Sequence, residues 1–373
     1  MGWYLLLIKN YLLISNLITL PDIIDDILSG AIFCLIFISI IYKKLNHKNF
    51  IFILLVGAFA LYTAYQSGLM IVTTTVLTIF GIYKENKYRL FKNTIIFLVS
   101  TLILNTLLSL VIACITGDTS ILCYYIEEGR LRISLGYGMA GHLADCIFNL
   151  FVLYTYIKGN KLSTFDNSLL FIIGILTYLI TDSKLILCLG ILFPLLINFS
   201  NHNKEHKTLK IISIYIAPAC TLFMLIAIML YAKGNAIGFW LDKLLTSRIR
   251  LCGYNLDKYG CSLFGQLCDC SMNEFSFKWL SRGITFDNGY IYLMVNVGIF
   301  WLMLIYIVNL AASLKGDTVM YVYVIIFSLG LMVDTDFLIS ARLAPVLILG
   351  DYSMNVLAGN YKSISKNMQI QER

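Results

Sequence analysis

Long apolar segments recur along nearly the whole chain, and they constrain its fold more than any other feature. A helix needs about 20 apolar residues to cross the hydrocarbon core of a bilayer. Only 13% of the 373 residues are charged and 59% are hydrophobic, which leaves too little polar surface for a soluble enzyme, a disordered protein or a nucleic-acid-binding module. About 12 segments approach the spanning length, and they cover residues 3–20, 27–42, 50–66, 67–83, 94–115, 138–157, 167–181, 183–199, 211–232, 290–313, 318–334 and 338–357.

The loops between these segments differ in charge, and the difference indicates how the helices are oriented. Lysine and arginine stay in cytoplasmic loops, so basic loops mark the cytoplasmic side. The loop at 21–26 and the turn at 334–336 carry acidic residues and no basic ones. Basic residues occupy the alternate loops, at 43–48, 84–92, 158–161, 204–210 and 315, and the tail after 361.

This alternation explains the net charge of +7 better than a nucleic-acid partner does, and it places both termini in the cytoplasm. The sequence therefore predicts an all-α, polytopic integral membrane helix bundle of about 12 transmembrane helices. We predict a single domain over residues 1–373. Residues 233–289 form its one large outer loop, and a shorter outer segment covers residues 116–137. The inner loops are too short to build a site, so we expect any chemistry at the outer face.

Four cysteines lie in the large outer loop: Cys252, Cys261, Cys268 and Cys270. An even number of cysteines in an oxidising compartment permits disulfides, although the sequence does not determine their pairing. The spacing has no C-x2-C repeat and no neighbouring histidine, so we predict no metal site. The chain also lacks a phosphate-binding P-loop and a nucleophile elbow.

Two arginines precede the sixth apolar segment, in the stretch from Gly129 to Gly138. Ionisable groups beside membrane spans are costly, so they are candidates for function. The planar guanidinium groups of Arg130 and Arg132 are suited to binding phosphate or carboxylate. Alternatively, the acidic pair at 127–128 neutralises both arginines at the membrane surface.

A polar stripe follows in the sixth segment itself. His142, Asp145 and Asn149 are spaced by three and four residues, which places them on one face of a helix. His142 is a candidate general base or hydrogen-bonding group for a substrate. Alternatively, the three side chains form a polar cluster that holds helices together.

The large outer loop contains a second pair of arginines. Between residues 238 and 251, apolar residues recur at helical spacing, which predicts an amphipathic helix on the membrane face. Arg248 falls on the apolar side of this helix, where a solvated arginine would be misplaced. Arg250 falls toward the polar side and is the weaker candidate.

Three further places carry charges beside predicted spans. Lys184 lies in an outer hairpin turn, where a lysine often extends its amine to the interface. Asp287, Asn288 and Tyr290 open the tenth segment, although a turn that starts a helix explains the Asp-Asn-Gly sequence equally well. We expect Arg342 in the last segment to face the bundle, toward Asp334 or Asp336.

Several of these fragments resemble the Wzy family, the bacterial O-antigen, capsule and exopolysaccharide polymerases. The stretch 132–138 followed by His142 resembles the family's Arg…Phe-Gly-Phe-Gly…His pattern. Thr246-Ser-Arg-Ile-Arg250, followed by Leu263-Phe-Gly265, resembles its Ser-Gly-Arg-Ile…Leu-Phe-Gly segment. The sequence at 287–290 resembles its Asp-Asn-x-Tyr pattern. Residues 181–184 resemble its Thr-x-Ser-Arg pattern, with Lys184 in place of arginine.

The resemblance implies a metal-independent glycosyltransferase that needs no cofactor and lies in the bacterial cytoplasmic (inner) membrane. It would join oligosaccharide repeat units carried on undecaprenyl pyrophosphate at the outer face, with a flippase and a chain-length regulator as partner proteins and membrane lipid around it. His142 is our first choice for the catalytic base and Asp287 the second. The implied pyrophosphate-binding residues are Arg130, Arg132, Lys184, Arg248 and Arg250, and the supporting residues are Asp145, Asn149, Asn288, Tyr290 and Arg342.

Two alternatives stay open. An O-antigen ligase-like glycan transferase has a similar layout and uses similar arginine and histidine residues. A lipid-linked oligosaccharide flippase or another transporter is the third hypothesis. A transporter is expected to show repeat symmetry and charged residues along a central cavity, rather than charges at one rim.

Overall fold

A computed structural model describes residues 1–18, 20–43, 45, 47–125, 131–159, 162–202, 207–268 and 287–357. Two three-residue strands, β1 (Cys123–Tyr125) and β2 (Leu131–Ile133), form a short antiparallel pair within a fold that is otherwise helical. The helices are α1 (Gly2–Ile14), α2 (Asp22–Ile41), α3 (His47–Ser67), α4 (Ile71–Ile82), α5 (Lys87–Thr116), α6 (Ala140–Lys158), α7 (Thr164–Thr181), α8 (Lys184–His202), α9 (Lys207–Ala232), α10 (Ala236–Leu244), α11 (Arg248–Tyr259), α12 (Gly289–Tyr292), α13 (Ile299–Lys315), α14 (Thr318–Val333) and α15 (Pro345–Leu357).

Six of the described helices are long and apolar enough to cross a membrane: α2, α3, α5, α6, α7 and α9. Shorter apolar helices accompany them, namely α1, α4, α8, α13 and α14. Large apolar side chains cover the outside of the bundle; on α5, for example, Ile103 is 54% exposed and Leu107 is 56% exposed. The prediction of an all-helical, membrane-embedded fold is confirmed at this level.

Several predicted boundaries are wrong, each for a local reason. The first helix ends at Ile14 rather than near residue 20. The predicted amphipathic helix over 238–251 is two helices, because Thr246 and Ser247 adopt the left-handed conformation and separate α10 from α11. The last helix begins only at Pro345, a residue that fits the first turn of a helix because it lacks an amide hydrogen.

The predicted tenth span is interrupted. A π-helical turn at Leu293–Val297 separates α12 from α13, and Gly298 follows it with φ at +117°. A break in a membrane helix leaves backbone groups that lipid cannot satisfy. Residues 262–266 satisfy them here: Ser262 donates from N to the carbonyl oxygen of Met294 at 3.0 Å, and Gln266 donates from Nε2 to that of Val295 at 2.9 Å.

Basic and acidic groups meet at one end of the bundle. We call it the lysine end and define it by Lys43 and Lys87. The Lys87 amine lies 3.0 Å from Oδ1 of Asp351, and both side chains are about nine-tenths buried. Lys87 also donates to the carbonyl oxygen of Ile82, and Lys43 donates to that of Phe80, so both amines cap the C-terminus of α4. These contacts join α4, α5 and α15.

The opposite end carries the predicted site residues, and we call it the arginine end. It is defined by Arg132, Arg248 and Arg342. Arg132 lies on β2, Arg248 begins α11, and Arg342 lies in the turn between α14 and α15. The helix ends that meet here include the C-terminus of α7 and the N-termini of α6 and α12.

Candidate functional site

A carboxylate joins the imidazole and one arginine at the centre of the arginine end. Arg342 donates from Nη1 to both oxygens of Asp336. Oδ2 of Asp336 also lies 3.8 Å from Nδ1 of His142. Arg342 therefore does not lie within the last helix, as the sequence predicted, but in the turn that precedes it. Its expected pairing with an acidic residue of the 334–336 turn is present.

Asp145 brings a second carboxylate to this group, one helical turn after His142 on α6. Ligand atoms of His142, Asp145 and Asp336 all lie within 4.8 Å of one another, a combination that can hold a metal ion. The sequence motifs gave no metal-ligand cluster, because Asp336 lies far from the other two in the chain. However, the guanidinium of Arg342 already supplies positive charge to Asp336, so the donor set favours a network that binds protons over a divalent cation.

The cavity beside this group is small. Its lining includes Asn10, Tyr11, His142, Asp145 and Arg342. The free volume is ≈ 20 Å³, which is room for about one water molecule. A sugar does not fit in this cavity.

Two asparagines hold the turn that carries Arg342. Oδ1 of Asn149, which is buried in α6, accepts a hydrogen bond from the backbone N of Ala344 at 2.9 Å. Oδ1 of Asn10, on α1, accepts from Nε of Arg342 at 3.4 Å. The predicted polar stripe on α6 therefore faces the bundle, and Asn149 positions a loop rather than a substrate.

Arg248 and Asp287 form a second, looser pair. Nε of Arg248 lies 3.8 Å from Oδ2 of Asp287, and this buried nitrogen makes no hydrogen bond within the described residues. Nη1 of Arg248 donates to the carbonyl oxygen of Leu245 at 3.3 Å and to the hydroxyl of Thr246. A separation of 3.8 Å exceeds hydrogen-bond length, so the guanidinium retains the capacity to bind an anion.

The residues after Asp287 fix its position. Asn288 is fully buried and caps α12, since its Oδ1 accepts from the backbone N of Ile291 at 2.9 Å. Its amide also donates to the carbonyl oxygen of Met332 at the end of α14. The hydroxyl of Tyr290 donates to the carbonyl oxygen of Ser328 at 3.0 Å. Asn288 and Tyr290 thus attach α12 to α14.

Arg132 forms a third pair at the end of α7. Nη2 of Arg132 donates to the carbonyl oxygen of Asp182 at 3.3 Å, and Nε lies 3.7 Å from Oδ2 of the same residue. The Nε atom is buried and makes no hydrogen bond within the described part of the chain. Like Arg248, Arg132 is close to a carboxylate without being fully bonded to it.

The turn after Arg132 has no room for a side chain at its glycine. Gly136 has φ at +83°, and a Cβ there would lie 2.8 Å from Nδ2 of Asn105 on α5. Asn105 donates from this nitrogen to the carbonyl oxygen of Leu135 at 2.8 Å, and its Oδ1 accepts from the hydroxyl of Ser15 at 2.9 Å. The absence of a side chain at Gly136 therefore allows the turn after β2 to pack closely against α5.

Asp334 lies between the Arg248 pair and the Asp336 group. Burial and the charge of the neighbouring Asp336 together raise the pKa of Asp334 to about 7, although a hydrogen bond from the backbone N of Asp336 and the charge of Arg248 oppose this rise. The turn after α14 therefore contains a carboxylate that titrates near neutral pH. Among the described residues at this end of the bundle, the carboxylates outnumber the arginines close to them, which favours protonation of one carboxylate.

The remaining predicted residues take less central positions. The backbone N of Arg250 donates to Oδ1 of Asp242 at 2.9 Å, which ties α11 to α10. Lys184 is exposed at the first residue of α8. Arg130 lies outside the described residues, as does Cys270. Cys252 and Cys261 are free thiols, so a disulfide between them is not formed.

Sequence reasoning missed three groups that organise the site. It did not identify Asp336 as a partner of His142, and it missed Asp182 as the partner of Arg132. It also missed Asn105, which supports the β2 turn. The signal for both aspartates was their position in turns between apolar segments, where arginines of other turns need a counter-charge.

No protein-family model, curated protein or solved structure matches this chain. A functional argument therefore depends on the site itself. Three arginines lie next to carboxylates at one end of an apolar bundle, together with an imidazole that faces a carboxylate. These groups are able to bind an anion and to transfer a proton.

Proposed function

We propose that this protein is a polysaccharide polymerase of the bacterial cytoplasmic membrane. In this proposal about 12 helices cross the membrane, and both termini are cytoplasmic. The arginine end faces the outer side. The substrates are oligosaccharide repeat units on undecaprenyl pyrophosphate, and the product is an O-antigen, capsule or exopolysaccharide chain.

The main support for this proposal is that the three arginines differ in how closely their guanidinium groups approach the neighbouring carboxylates. Arg342 is bonded directly to Asp336, which makes it part of the scaffold. Arg132 and Arg248 instead hold their carboxylates at 3.7 and 3.8 Å, and each has a buried Nε without a hydrogen bond among the described residues. An arriving diphosphate would bond to these guanidinium groups more closely than the carboxylates do.

The proposed reaction transfers a glycan chain from its lipid carrier to an acceptor. The bond between the anomeric carbon of the donor and the pyrophosphate oxygen breaks. A bond forms between that carbon and a hydroxyl oxygen of the acceptor unit. Arg132 and Arg248 stabilise the negative charge on the leaving undecaprenyl pyrophosphate. The hydroxyl proton passes to the base.

His142 is the base in this proposal. Its Nδ1 lies 3.8 Å from Oδ2 of Asp336, and the charge of this carboxylate stabilises the protonated form of the imidazole. Nε2 would take the proton from the acceptor hydroxyl. Asp287 is less suited to this role, because its carboxylate faces Arg248 and serves to position that guanidinium.

Deletion of the chain from its native bacterium, with separation of surface glycans by length, tests the proposal. We expect single repeat units in place of long chains, and restoration of long chains by the wild-type chain. The variant Lys243→Ala should restore them as well, because Lys243 is an exposed residue of the neighbouring α10. Long chains of normal length after deletion would reject the proposal.

A transporter of lipid-linked glycans is the second candidate, and one observation favours it. Asp145 is buried within an apolar helix beside His142 and Asp336, a grouping that also occurs along proton pathways. The same deletion separates the candidates. Loss of a flippase would leave repeat units on the inner leaflet, whereas loss of a polymerase leaves them on the outer leaflet. Loss of a ligase would leave long chains unattached.

A further inference from the structure

An apolar groove runs along the outside of the bundle next to the Arg132 pair. It has a volume of ≈ 300 Å³ and lies between α5, α6 and α7. Residues on each helix line it over about one and a half turns, and Leu135 of the turn after β2 lines it as well. The lining residues are Leu102, Ile103, Thr106, Leu107, Leu135, Leu143, Ile147, Thr177, Ile180 and Thr181.

The floor and the rims of this groove differ in exposure. Leu143, Thr177 and Thr181 form a floor that is at most 2% exposed. Ile103 and Ile180 stand at the rims and are 54% and 38% exposed, so the groove opens sideways toward lipid. The hydroxyls of both threonines donate to carbonyl oxygens four residues earlier in α7, at 2.8 Å each. The groove therefore presents a hydrocarbon-like surface.

Two lining residues of the groove are close in the chain to a site for negative charge. Thr181 immediately precedes Asp182, and Leu135 follows Arg132 by three residues. Among the described residues next to the groove, Arg132 and Lys184 carry one more positive charge than Asp182 neutralises. The apolar groove thus lies next to positively charged side chains. These two surfaces together are complementary to a lipid with an anionic head group.

We propose that this groove binds the first isoprene units of a polyprenyl pyrophosphate, with the pyrophosphate at Arg132. This inference rests on the proposed function and adds the path of the lipid chain, which runs past α5, α6 and α7. The volume of ≈ 300 Å³ accommodates a segment of hydrocarbon chain, and the buried apolar floor suits such a chain. The diphosphate also offers Arg132 more acceptor oxygens than a phosphodiester does.

Substitutions that fill the groove test this inference when the binding of the lipid to each variant is measured. Thr106→Trp places a large side chain inside it from α5, and Ile180→Trp does so from the opposite rim on α7. Leu104→Trp and Leu179→Trp are matched controls, because both residues are exposed on the same helices and do not line the groove. The intact protein in phosphatidylglycerol nanodiscs is titrated with undecaprenyl pyrophosphate, and the bound lipid is counted by native mass spectrometry.

We expect each groove variant to weaken binding at least tenfold, which corresponds to about 1.4 kcal/mol. The two controls should bind as the wild type does. Equal affinity of Thr106→Trp, Ile180→Trp and the wild type would overturn the inference. Binding that occurs in nanodiscs of neutral phosphatidylcholine but not in those of phosphatidylglycerol would also overturn it, since the occupant would then be an ordinary anionic phospholipid.

The outcomes also separate this inference from the proposed function. If the groove variants lose lipid binding but deletion of the chain leaves glycan length unchanged, the groove is established and the polymerase proposal fails. If deletion shortens the glycans but both groove variants bind the lipid normally, the polymerase proposal survives and the lipid chain follows another path.

Discussion

Nε of Arg248 lies 3.8 Å from Oδ2 of Asp287, although Arg248 begins α11 and Asp287 lies just before α12. The pair is close enough for a strong Coulomb attraction and too long for a hydrogen bond. Arg342 and Asp336 form the contrasting case, because the guanidinium is bonded directly to the carboxylate. This contrast divides the arginines into those that are able to bind a ligand and one that supports the fold.

Removal of Arg342 should destabilise the protein. Arg342→Ala leaves Asp336 with an uncompensated buried charge, and loss of one partner of a buried pair costs about 3–5 kcal/mol. We expect a lower thermal-unfolding midpoint in detergent and less protein in the membrane. Lys243→Ala should unfold at the wild-type temperature. An unchanged midpoint for Arg342→Ala would show that this pair does not support the fold.

Replacement of His142 should abolish the reaction without releasing the lipid. His142→Gln keeps a polar group of similar size and removes the base, and loss of general base catalysis lowers rates by about 10²–10⁴. We expect that loss in glycan chain extension by purified protein supplied with lipid-linked repeat units. Affinity for undecaprenyl pyrophosphate should stay the same. A rate close to that of the wild type would exclude His142 as the base.

Asp334 should make stability depend on pH near neutrality. Its pKa in the folded protein is about 7, above the ordinary value of 3.8, so the folded state binds the proton more tightly than the unfolded state does. The stabilisation from protonated Asp334 is complete below about pH 4 and is lost as pH rises through about 7. Asp334→Asn does not titrate. Thermal unfolding at pH 5 and pH 8 should therefore show a larger decrease for the wild type than for Asp334→Asn, and parallel decreases would contradict the assignment.

A side chain at Gly298 should disrupt the broken helix. Gly298 has φ at +117°, and a Cβ would lie 2.6 Å from the carbonyl oxygen of Leu263. Strain of this kind costs about 1–3 kcal/mol. We expect Gly298→Ala to unfold at a lower temperature than the wild type. Gly57→Ala is the matched control, because no atom lies within 4 Å of the Cβ position at Gly57. Equal midpoints for the two variants would show that the break tolerates a side chain.

Hydrophobicity alone predicted the helical membrane fold, because each span is recognisable from its own run of apolar residues. The polar stripe of His142, Asp145 and Asn149 was predictable for the same reason, since a helical period places those residues on one face. Helix breaks were not predictable in this way. The break at Thr246 and Ser247 depends on left-handed backbone conformations, and apolar spacing continues across it.

The partners of the arginines were predictable only in part. Arg342 and Asp336 lie six residues apart in one turn, so their pairing follows from the sequence. Asp182 and Arg132 are 50 residues apart, and their contact depends on how the β2 turn packs on α7. Long-range pairs of this kind require the tertiary fold, which the charge pattern of the loops does not supply.

Glycan length in cells that carry Arg132→Ala or Arg248→Ala tests the central claim most directly, because that claim assigns both guanidinium groups to the leaving pyrophosphate. The account predicts that both variants insert in the membrane at wild-type levels and yield single repeat units. Arg132→Lys and Arg248→Lys should give intermediate lengths, since lysine keeps the charge and loses the planar fork. Long chains of wild-type length from both alanine variants would contradict the account.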